Sequence, residues 1–492
     1  MNSWEIKNLI RKRVAEEEGL LRKVAPLGVA LCHPAPYEVA MSSLGFQAIF
    51  REIHSHPEAA AERAFLPDNP EEYRRNRLPV FTYENERPLS DFPVVAFSIA
   101  YELEITGIFE MLDLCGIPLL REDRTARHPF ILAGGPLTIS NPAILFPFVD
   151  GIIIGEGEDL IHQFLDIAAG TERKHWPERL AHLPGCYVPG LTVEIPAPCR
   201  VPDGRLPASS LILTKNTVLS SMFLIEPERG CSRSCAYCVM RGPRGGGMRT
   251  VPAGDVLRRI PENARRVGLV GAAVTDHPQI LDIVGGIVES GREIGVSSLR
   301  ADRLADRPGE EFVRLLAKGG YRTLTTASDG ASQRIRDMIG RNTEERHLAR
   351  AAELARLAGM PRLKLYEMIG FPGETVDDIE ELIRFSLEIS KTVSLSLSIS
   401  PFVAKRNTPL GGAPFEDIPV LESKFSRIRA GLKGRVEVKP GSVRFAWIEY
   451  MLSQGDGRAG LAAMDAWRRG GRFAAWKRAF ISNGIGLNYA FE

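Results

Sequence analysis

Between residues 25 and 165 the chain alternates short, unbroken apolar runs with segments whose apolar residues recur every three to four positions. Val29-Ala-Leu-Cys-His33 predicts a first strand, and residues 39–50 predict a helix. Pro93-Val-Val-Ala-Phe-Ser-Ile99 predicts a buried strand, followed by a helix over 105–116. Phe130-Ile-Leu-Ala-Gly-Gly135 and Gly151-Ile-Ile-Ile-Gly155 predict two more strands, each ending in glycine. Continuous apolar strands separated by helices predict a parallel sheet covered on both faces. Ligands of such sheets sit beyond the carboxyl ends of the strands. Gly134, Gly135, Gly155, Glu156 and Gly157 fall there and are candidate binding residues. The alternative is that these glycines only make tight strand-to-helix turns.

Residues 166–215 are irregular, contain seven prolines and predict a linker. A second strand–helix series occupies 216–430. Its predicted strands are 223–226, 267–271, 296–300, 323–326, 363–368 and 393–399. Six strands with intervening helices predict a partial or open parallel barrel, with its chemistry at the carboxyl ends. Residues 431–492 are short, basic and rich in Trp, Arg and Gly, and predict a helical extension with too little apolar content to fold alone.

Composition changes this picture little. With 492 residues, 44% hydrophobic and 25% charged, the chain is an ordinary globular one of two or three domains. A net charge of +1 creates no global field for nucleic acid or membrane. Locally, residues 421–480 carry 13 Lys/Arg against 5 Asp/Glu, and 241–266 carry 7 against 2. Either stretch is a solvated helix face or a surface for an anionic partner such as RNA. No apolar run reaches the roughly 20 residues that span a bilayer. The N-terminal Trp4-Glu-Ile-Lys-Asn-Leu-Ile-Arg-Lys-Arg-Val14 is an amphipathic helix pattern without the apolar core of a signal peptide, so a cytoplasmic location is expected.

The strongest chemical signal is Cys231-Ser-Arg-Ser-Cys235-Ala-Tyr-Cys238. Three thiolates at this spacing can each hold one iron of a four-iron cluster and leave the fourth iron open. A zinc site is the first alternative, but structural zinc takes four ligands and His277 is the only nearby fourth candidate. Buried structural cysteines are the second. Cys32, Cys115, Cys186 and Cys199 have no ligand spacing, so no second cluster is expected. Cations at Arg229 and Arg233 are expected to favour the thiolates.

The cysteine spacing, the preceding Glu226-Pro-Glu-Arg-Gly230 and the aromatic Tyr237 resemble the cluster motif of the radical S-adenosylmethionine (SAM) enzymes. In that superfamily the open iron binds SAM, and an electron splits it into methionine and a 5′-deoxyadenosyl radical. The ordered motifs Val94–Ser98, Gly134-Gly-Pro136 and Gly155-Glu-Gly-Glu158 upstream resemble the cobalamin (B12)-binding class. His33–Gly45, His128–Gly135 and Phe402-Val-Ala-Lys-Arg-Asn-Thr-Pro409 are similar to a poorly characterised bacterial branch of B12-binding-domain radical SAM proteins. The resemblance covers about residues 25–480. It implies an α/β chain with a Rossmann-like, cobalamin-binding-type domain at 25–165 and a linker at 166–215. A radical SAM core, a partial (β/α)6 barrel with a [4Fe-4S] cluster, would follow at 216–430, and a basic helical extension at 431–492.

The resemblance assigns further roles. Cys231, Cys235 and Cys238 would hold the cluster. Gly271-Ala-Ala273 stands where the superfamily places Gly-Gly-Glu near the SAM amino group, which implies a backbone contact from Gly271. Ser298 and Arg300 would reach the SAM ribose or carboxylate. Ala327–Arg336 resembles a segment in which Asp329 replaces a glutamate, with Ser332 beside it and Arg334 or Arg336 for the methionine carboxylate. Met368-Ile-Gly-Phe-Pro-Gly-Glu374 resembles the segment near the adenine. Two departures stand out. The Asp-x-His-x-x-Gly cobalamin signature is absent around His33, His54, His56, His128 and His162, and the extra C-terminal domain frequent in this branch is not expected here.

The implied function is a radical SAM enzyme, with cobalamin for methyl transfer or rearrangement of an unactivated carbon. The alternatives are a radical SAM enzyme with a cobalamin-free N-terminal domain, or a non-catalytic iron–sulfur or RNA-binding protein. A flavodoxin- or ferredoxin-type reductant is the implied partner. No general acid or base is singled out; Glu226, Glu228, Asp276, His277, Tyr366 and Glu367 fall at predicted strand ends.

Overall fold

The computed structural model describes residues 2–240, 247–297 and 299–486, in two units. The first unit comprises residues up to 221 together with those from 451 onward, and the second comprises 222–450. No helix among the described residues is long and apolar enough to cross a membrane.

In the first unit the strands are β1 (Leu27–His33), β2 (Ala59–Phe65), β3 (Val94–Ser98), β4 (Phe130–Gly134), β5 (Gly151–Ile153) and β6 (Cys186–Tyr187). Their order is β2-β1-β3-β4-β5-β6, parallel except for β6. The sheet therefore grows in both directions from β1, which leaves a switch point between β1 and β3. Phe46 and Phe50 of the helix Leu44–Ser55 and Phe164 of Glu158–Gly170 belong to the same core as Val29, Val94 and Leu132 of the sheet.

β2, Ala-Ala-Ala-Glu-Arg-Ala-Phe, carries no strand pattern and was not expected. Its Arg63 is fully buried and held by Glu17 at 2.7 Å and Glu84 at 2.6 Å, whose side chains are themselves buried. A guanidinium inside a sheet is tolerated only with such partners, because its desolvation is otherwise uncompensated.

The expected linker at 166–215 is woven into this unit. It contains the end of the helix Glu158–Gly170, the helix Trp176–Ala181, strand β6 and the pair Leu213–Thr214, which lies antiparallel to Glu17–Glu18. The expected single extension at 431–492 is likewise divided between the units. The helices Gly457–Arg468 and Phe473–Ser482 belong to the first, with buried Ala459, Ala463, Trp476 and Phe480. Asn141 donates to the carbonyls of Leu452, Ser453 and Gly455, and Trp467 donates to Glu110 at 2.8 Å. Gly460 lies so close to Ile144 that a Cβ would come within 2.1 Å of its carbonyl oxygen.

In the second unit, β7 (Met222–Ile225), β8 (Arg266–Leu269) and β9 (Glu293–Val296) form one parallel sheet. β10 (Thr323–Ala327), β11 (Arg362–Ile369), β12 (Ser394–Pro401) and β13 (Glu437–Pro440) form another, and the single bridge Leu299–Thr326 links the two. Seven parallel strands thus follow chain order, one more than expected. The extra one, Glu437-Val-Lys-Pro440, is too polar and short to read as a strand. All carboxyl ends lie along one edge.

Gly460→Val is expected to lower unfolding free energy by about 1–3 kcal/mol through overpacking. Gly457→Ala, which meets Pro147 at an ordinary 3.5 Å, is expected to be near neutral. Thermal denaturation of both variants checks the docking of the C-terminal helices; equal midpoints would contradict it.

Candidate functional site

The cysteine loop leaves β7 through the pair Glu228–Arg229, which lies antiparallel to Arg249–Thr250. Gly230 turns the chain at φ +92°, and a Cβ there would strike the carbonyl of Gly247 at 2.2 Å. The loop is then pinned from outside: the Ala236 amide donates to Ile339 and its carbonyl accepts from Leu410. These contacts turn Cys231, Cys235 and Cys238 into one cavity of about 200 Å3. Arg300, Ala327, Asp329 and Arg341, all at or beyond strand ends, line the same cavity.

Among the described residues no three His, Cys, Asp or Glu converge as they would on a single metal ion. The three thiols line one cavity, as ligands of a multi-iron cluster would. His277, the candidate fourth zinc ligand, has both ring nitrogens engaged, with Val251 at 2.9 Å and the Gln279 amide at 3.0 Å. Its carbonyl acceptor and amide donor identify a neutral, structural imidazole.

The electrostatics differ from expectation in which arginines serve. Arg229 is a bidentate partner of Glu226, and Arg233 of Asp276 at 2.6 and 2.8 Å. Burial opposes ionisation of Asp276, but bonds from Arg233, Arg303 and Ser232 outweigh it and hold the carboxyl below its usual range. Arg300 and Arg341 line the cavity with Arg233; Arg300 is paired with Asp302 at 3.1 Å and Arg341 with Asp329. Burial pushes the Cys231 thiol up, partly offset by a hydrogen bond from the Arg233 backbone amide and, less, by the charge of Arg300. Burial likewise raises Cys238, and the neighbouring thiols add to that rise. Arg341 hydrogen-bonds Cys235, pairs with Asp329 at 2.8 Å and donates to the Ala327 carbonyl. No sequence motif marked Arg341.

Asp329 sits at φ +64° with its carboxylate shared by Tyr237 at 2.7 Å and Arg341. It reaches the cavity, but these bonds occupy it in fixing the cysteine loop. Ser332, Arg334 and Arg336 lie elsewhere. Ser332 is fully buried, caps the helix Gln333–Met338 through the Ile335 amide and donates to Asp378. Arg334 pairs with Asp378 and the Gly373 carbonyl on an exposed face. Arg336 is buried and holds the Gly330 carbonyl at 3.0 Å. The helix cap dictates these directions, so the three support the 328–338 turn. Ser298 lies outside the described residues.

Gly271 adjoins the cavity wall at Ala272. A Cβ on it would meet Glu228 at 2.1 Å, and the Glu228 carboxylate accepts from the Ala273 amide at 2.8 Å. A buried acid thus lies beneath the Gly271-Ala-Ala273 turn. Its second oxygen is buried without a partner, and burial pushes its pKa up to about 7. Glu367 is similarly buried and raised, beside Arg336.

In the first unit the candidate glycines serve close chain approach. A Cβ on Gly135 would strike Ile99, and one on Gly155 would strike Cys199 at 2.5 Å. The Glu156 amide donates to Cys199, and its carboxylate accepts from the Val201 amide at 2.8 Å. Gly157 precedes the helix Glu158–Gly170, and Gly134 ends β4 with only loose contacts. The chain itself fills the space over the Gly155-Glu-Gly157 turn, so these residues do not fit an open cradle for a corrinoid. His33, at the end of β1, is buried with Nδ1 unpartnered, and burial lowers its pKa to about 4.

Residues 225–386 match the family described as Radical SAM superfamily, and residues 45–189 match radical SAM proteins, N-terminal. The chain is 27% identical to an uncharacterized protein of Methanocaldococcus jannaschii, over 70% of this chain and 73% of that one. It is 25% identical to a tRNA-2-methylthio-N(6)-dimethylallyladenosine synthase of Verminephrobacter eiseniae, over 63% and 70%. Among solved structures, the cobalamin-dependent S-adenosylmethionine radical enzyme OxsB with aqua-cobalamin bound superimposes with a TM-score of 0.54 at 15% identity. That match covers 80% of this chain but only 58% of OxsB.

Glu228 has a folded pKa above its unfolded value of 4.5, so its contribution to stability is complete below about pH 4.5 and is lost as pH rises through about 7. Glu228→Gln is expected to remove that loss, on the order of 2 kcal/mol between pH 5 and 8. Urea denaturation of both proteins across that range checks it; parallel pH profiles would contradict the assignment.

Proposed function

We propose that this chain, a member of the radical SAM superfamily, is an enzyme that reductively cleaves S-adenosylmethionine at a [4Fe-4S] cluster held by Cys231, Cys235 and Cys238. The observation that carries the reading is the convergence of the three thiols on one cavity that also contains Arg300 and Arg341. Cys231, Cys235 and Cys238 would hold the cluster, which would supply the single electron that cleaves the SAM sulfonium.

The chain's own residues then have separable tasks. Arg300 and Arg341 offset the negative charge of the thiolates. Asp329, locked between Tyr237 and Arg341, fixes the cysteine loop against β10. To Arg300, a cavity residue oriented by Asp302, we assign a carboxylate of SAM, a role expected of it and also of Arg334 or Arg336. A flavodoxin- or ferredoxin-type reductant and a cytoplasmic setting follow from the need for an electron and a protected cluster.

A corrinoid-dependent reaction is the second reading. The switch point between β1 and β3 favours it, since ligands of doubly wound sheets bind there. The filled Gly155-Glu-Gly157 turn and the missing Asp-x-His-x-x-Gly signature weigh against it. Similarity to the tRNA-2-methylthio-N(6)-dimethylallyladenosine synthase supports a nucleic-acid substrate.

Anaerobically reconstituted protein is expected to bind about four irons per chain and, with dithionite, to form methionine and 5′-deoxyadenosine. Removing iron with a chelator, or Cys235→Ala, is expected to abolish the product, measured by chromatography. An iron-loaded protein that leaves SAM intact would contradict the reading. Cobalt quantified on the same sample separates the two versions: about one per chain supports the corrinoid, none rejects it.

A further inference from the structure

Parallel sheets ordinarily bury both faces, and their strands are apolar throughout. β11 and β12 depart from this. On one face Leu363, Leu365, Ile369, Leu395, Leu397 and Ile399 are all buried. On the other, successive positions read Lys364, Tyr366 and Met368 on β11, with Ser398 and Ser400 on β12. Tyr366 is 43% exposed, in the middle of a strand.

Register places this polar face next to a residue of the cysteine cavity. Ala327, which lines the cysteine cavity, pairs with Tyr366, and Tyr366 pairs in turn with Ser398 and Ser398 with Lys439. Paired residues of a ladder point to the same side, so Tyr366 shares a face of the sheet with the cavity residue Ala327. One register earlier, Thr325, Lys364, Ser396 and Glu437 lie in a row.

Lys364 is the unusual member. Its Nζ donates to the Tyr366 hydroxyl at 2.9 Å and stands 4.4 Å from the ring centroid. Arg362 and Lys439 share Glu437, each at 3.2 Å, whereas Lys364 has no carboxylate partner among the described residues. A cation, an open aromatic ring and hydroxyls adjoin the site of chemistry. The ring offers a surface for stacking a planar base, as aromatic platforms do for nucleotides. The lysine is a point charge for a phosphate, and Ser398 and Ser400 can bond its oxygens or a sugar hydroxyl. SAM itself suits the face poorly, since its sulfonium and ammonium would be repelled by Lys364. A lipid chain suits it no better, because Met368 is its only apolar member.

We infer that this face binds a nucleotide unit of the substrate, with its base on Tyr366 and its phosphate on Lys364. The inference deepens the proposed radical reaction by naming the substrate class, and its placement next to the reacting centre rests on that reading.

Equilibrium dialysis without reductant tests it, using cluster-loaded protein saturated with SAM and three probes: adenosine 5′-monophosphate, adenosine and a short single-stranded oligoribonucleotide. Lys364→Met is expected to weaken the monophosphate about tenfold and leave adenosine unchanged, as for loss of a charge-assisted bond. Tyr366→Leu is expected to weaken both about fivefold or more, and Tyr366→Phe to retain the stacking. Circular dichroism confirms that each variant is folded. Tighter binding of the oligoribonucleotide, lost with the same variants, assigns the nucleotide to RNA; binding no tighter than the monophosphate assigns a free nucleotide. No binding of any phosphorylated probe, binding indifferent to Lys364 and Tyr366, or binding only when SAM is withheld would overturn the inference. Because dialysis needs no turnover, protein that binds the monophosphate yet fails to cleave SAM would retain the nucleotide face and remove the radical reading.

Discussion

Three thiols brought into one small, partly buried cavity create a charge problem on which the surrounding architecture depends. Each thiolate raises the cost of the next, and burial adds to that cost at Cys231 and Cys238. The protein answers with two guanidiniums from separate segments, Arg300 after β9 and Arg341 after the helix Gln333–Met338. These are tied to each other, since Arg300 donates to the Arg341 carbonyl at 3.1 Å. Asp329 and Tyr237 complete the tie to the cysteine loop. The cysteine loop is thereby fixed from three directions. The strain of a left-handed aspartate is a cost accepted at a functional turn.

Much of this was legible in the sequence where apolar continuity or ligand spacing carried the signal. The strands at Val29, Val94 and Phe130 were found within a few residues because their runs are apolar, and those at Leu363 and Ser394 because apolar residues alternate along them. The cysteine triad was legible because cluster geometry restricts its spacing. β2 was not, because its stability comes from Arg63 held between two distant glutamates rather than from a strand-like pattern. β13 was not, because an edge strand can be short and charged.

The candidate site shows the same division. Asp329 and Arg300 line the cavity, whereas Ser332, Arg334 and Arg336 make their bonds away from it. A helix cap decided the direction of those three, and the same sequence segment serves either role equally well. Arg341 was invisible because its task arises only when the Gly340–Thr343 turn folds back towards Ala327. The glycines of the first unit were open to two readings, a ligand site or a tight turn. Their positions at strand ends suggested a ligand, yet Gly155 is required by the approach of Cys199.

The central claim is that the cavity holds a four-iron cluster with one iron open to SAM. Electron paramagnetic resonance of the reduced, reconstituted protein, recorded with and without SAM, tests it most directly. The account predicts the signal of a reduced [4Fe-4S] cluster whose line shape changes when SAM is added. A spectrum indifferent to SAM, or protein that takes up stoichiometric zinc in place of iron, would contradict it.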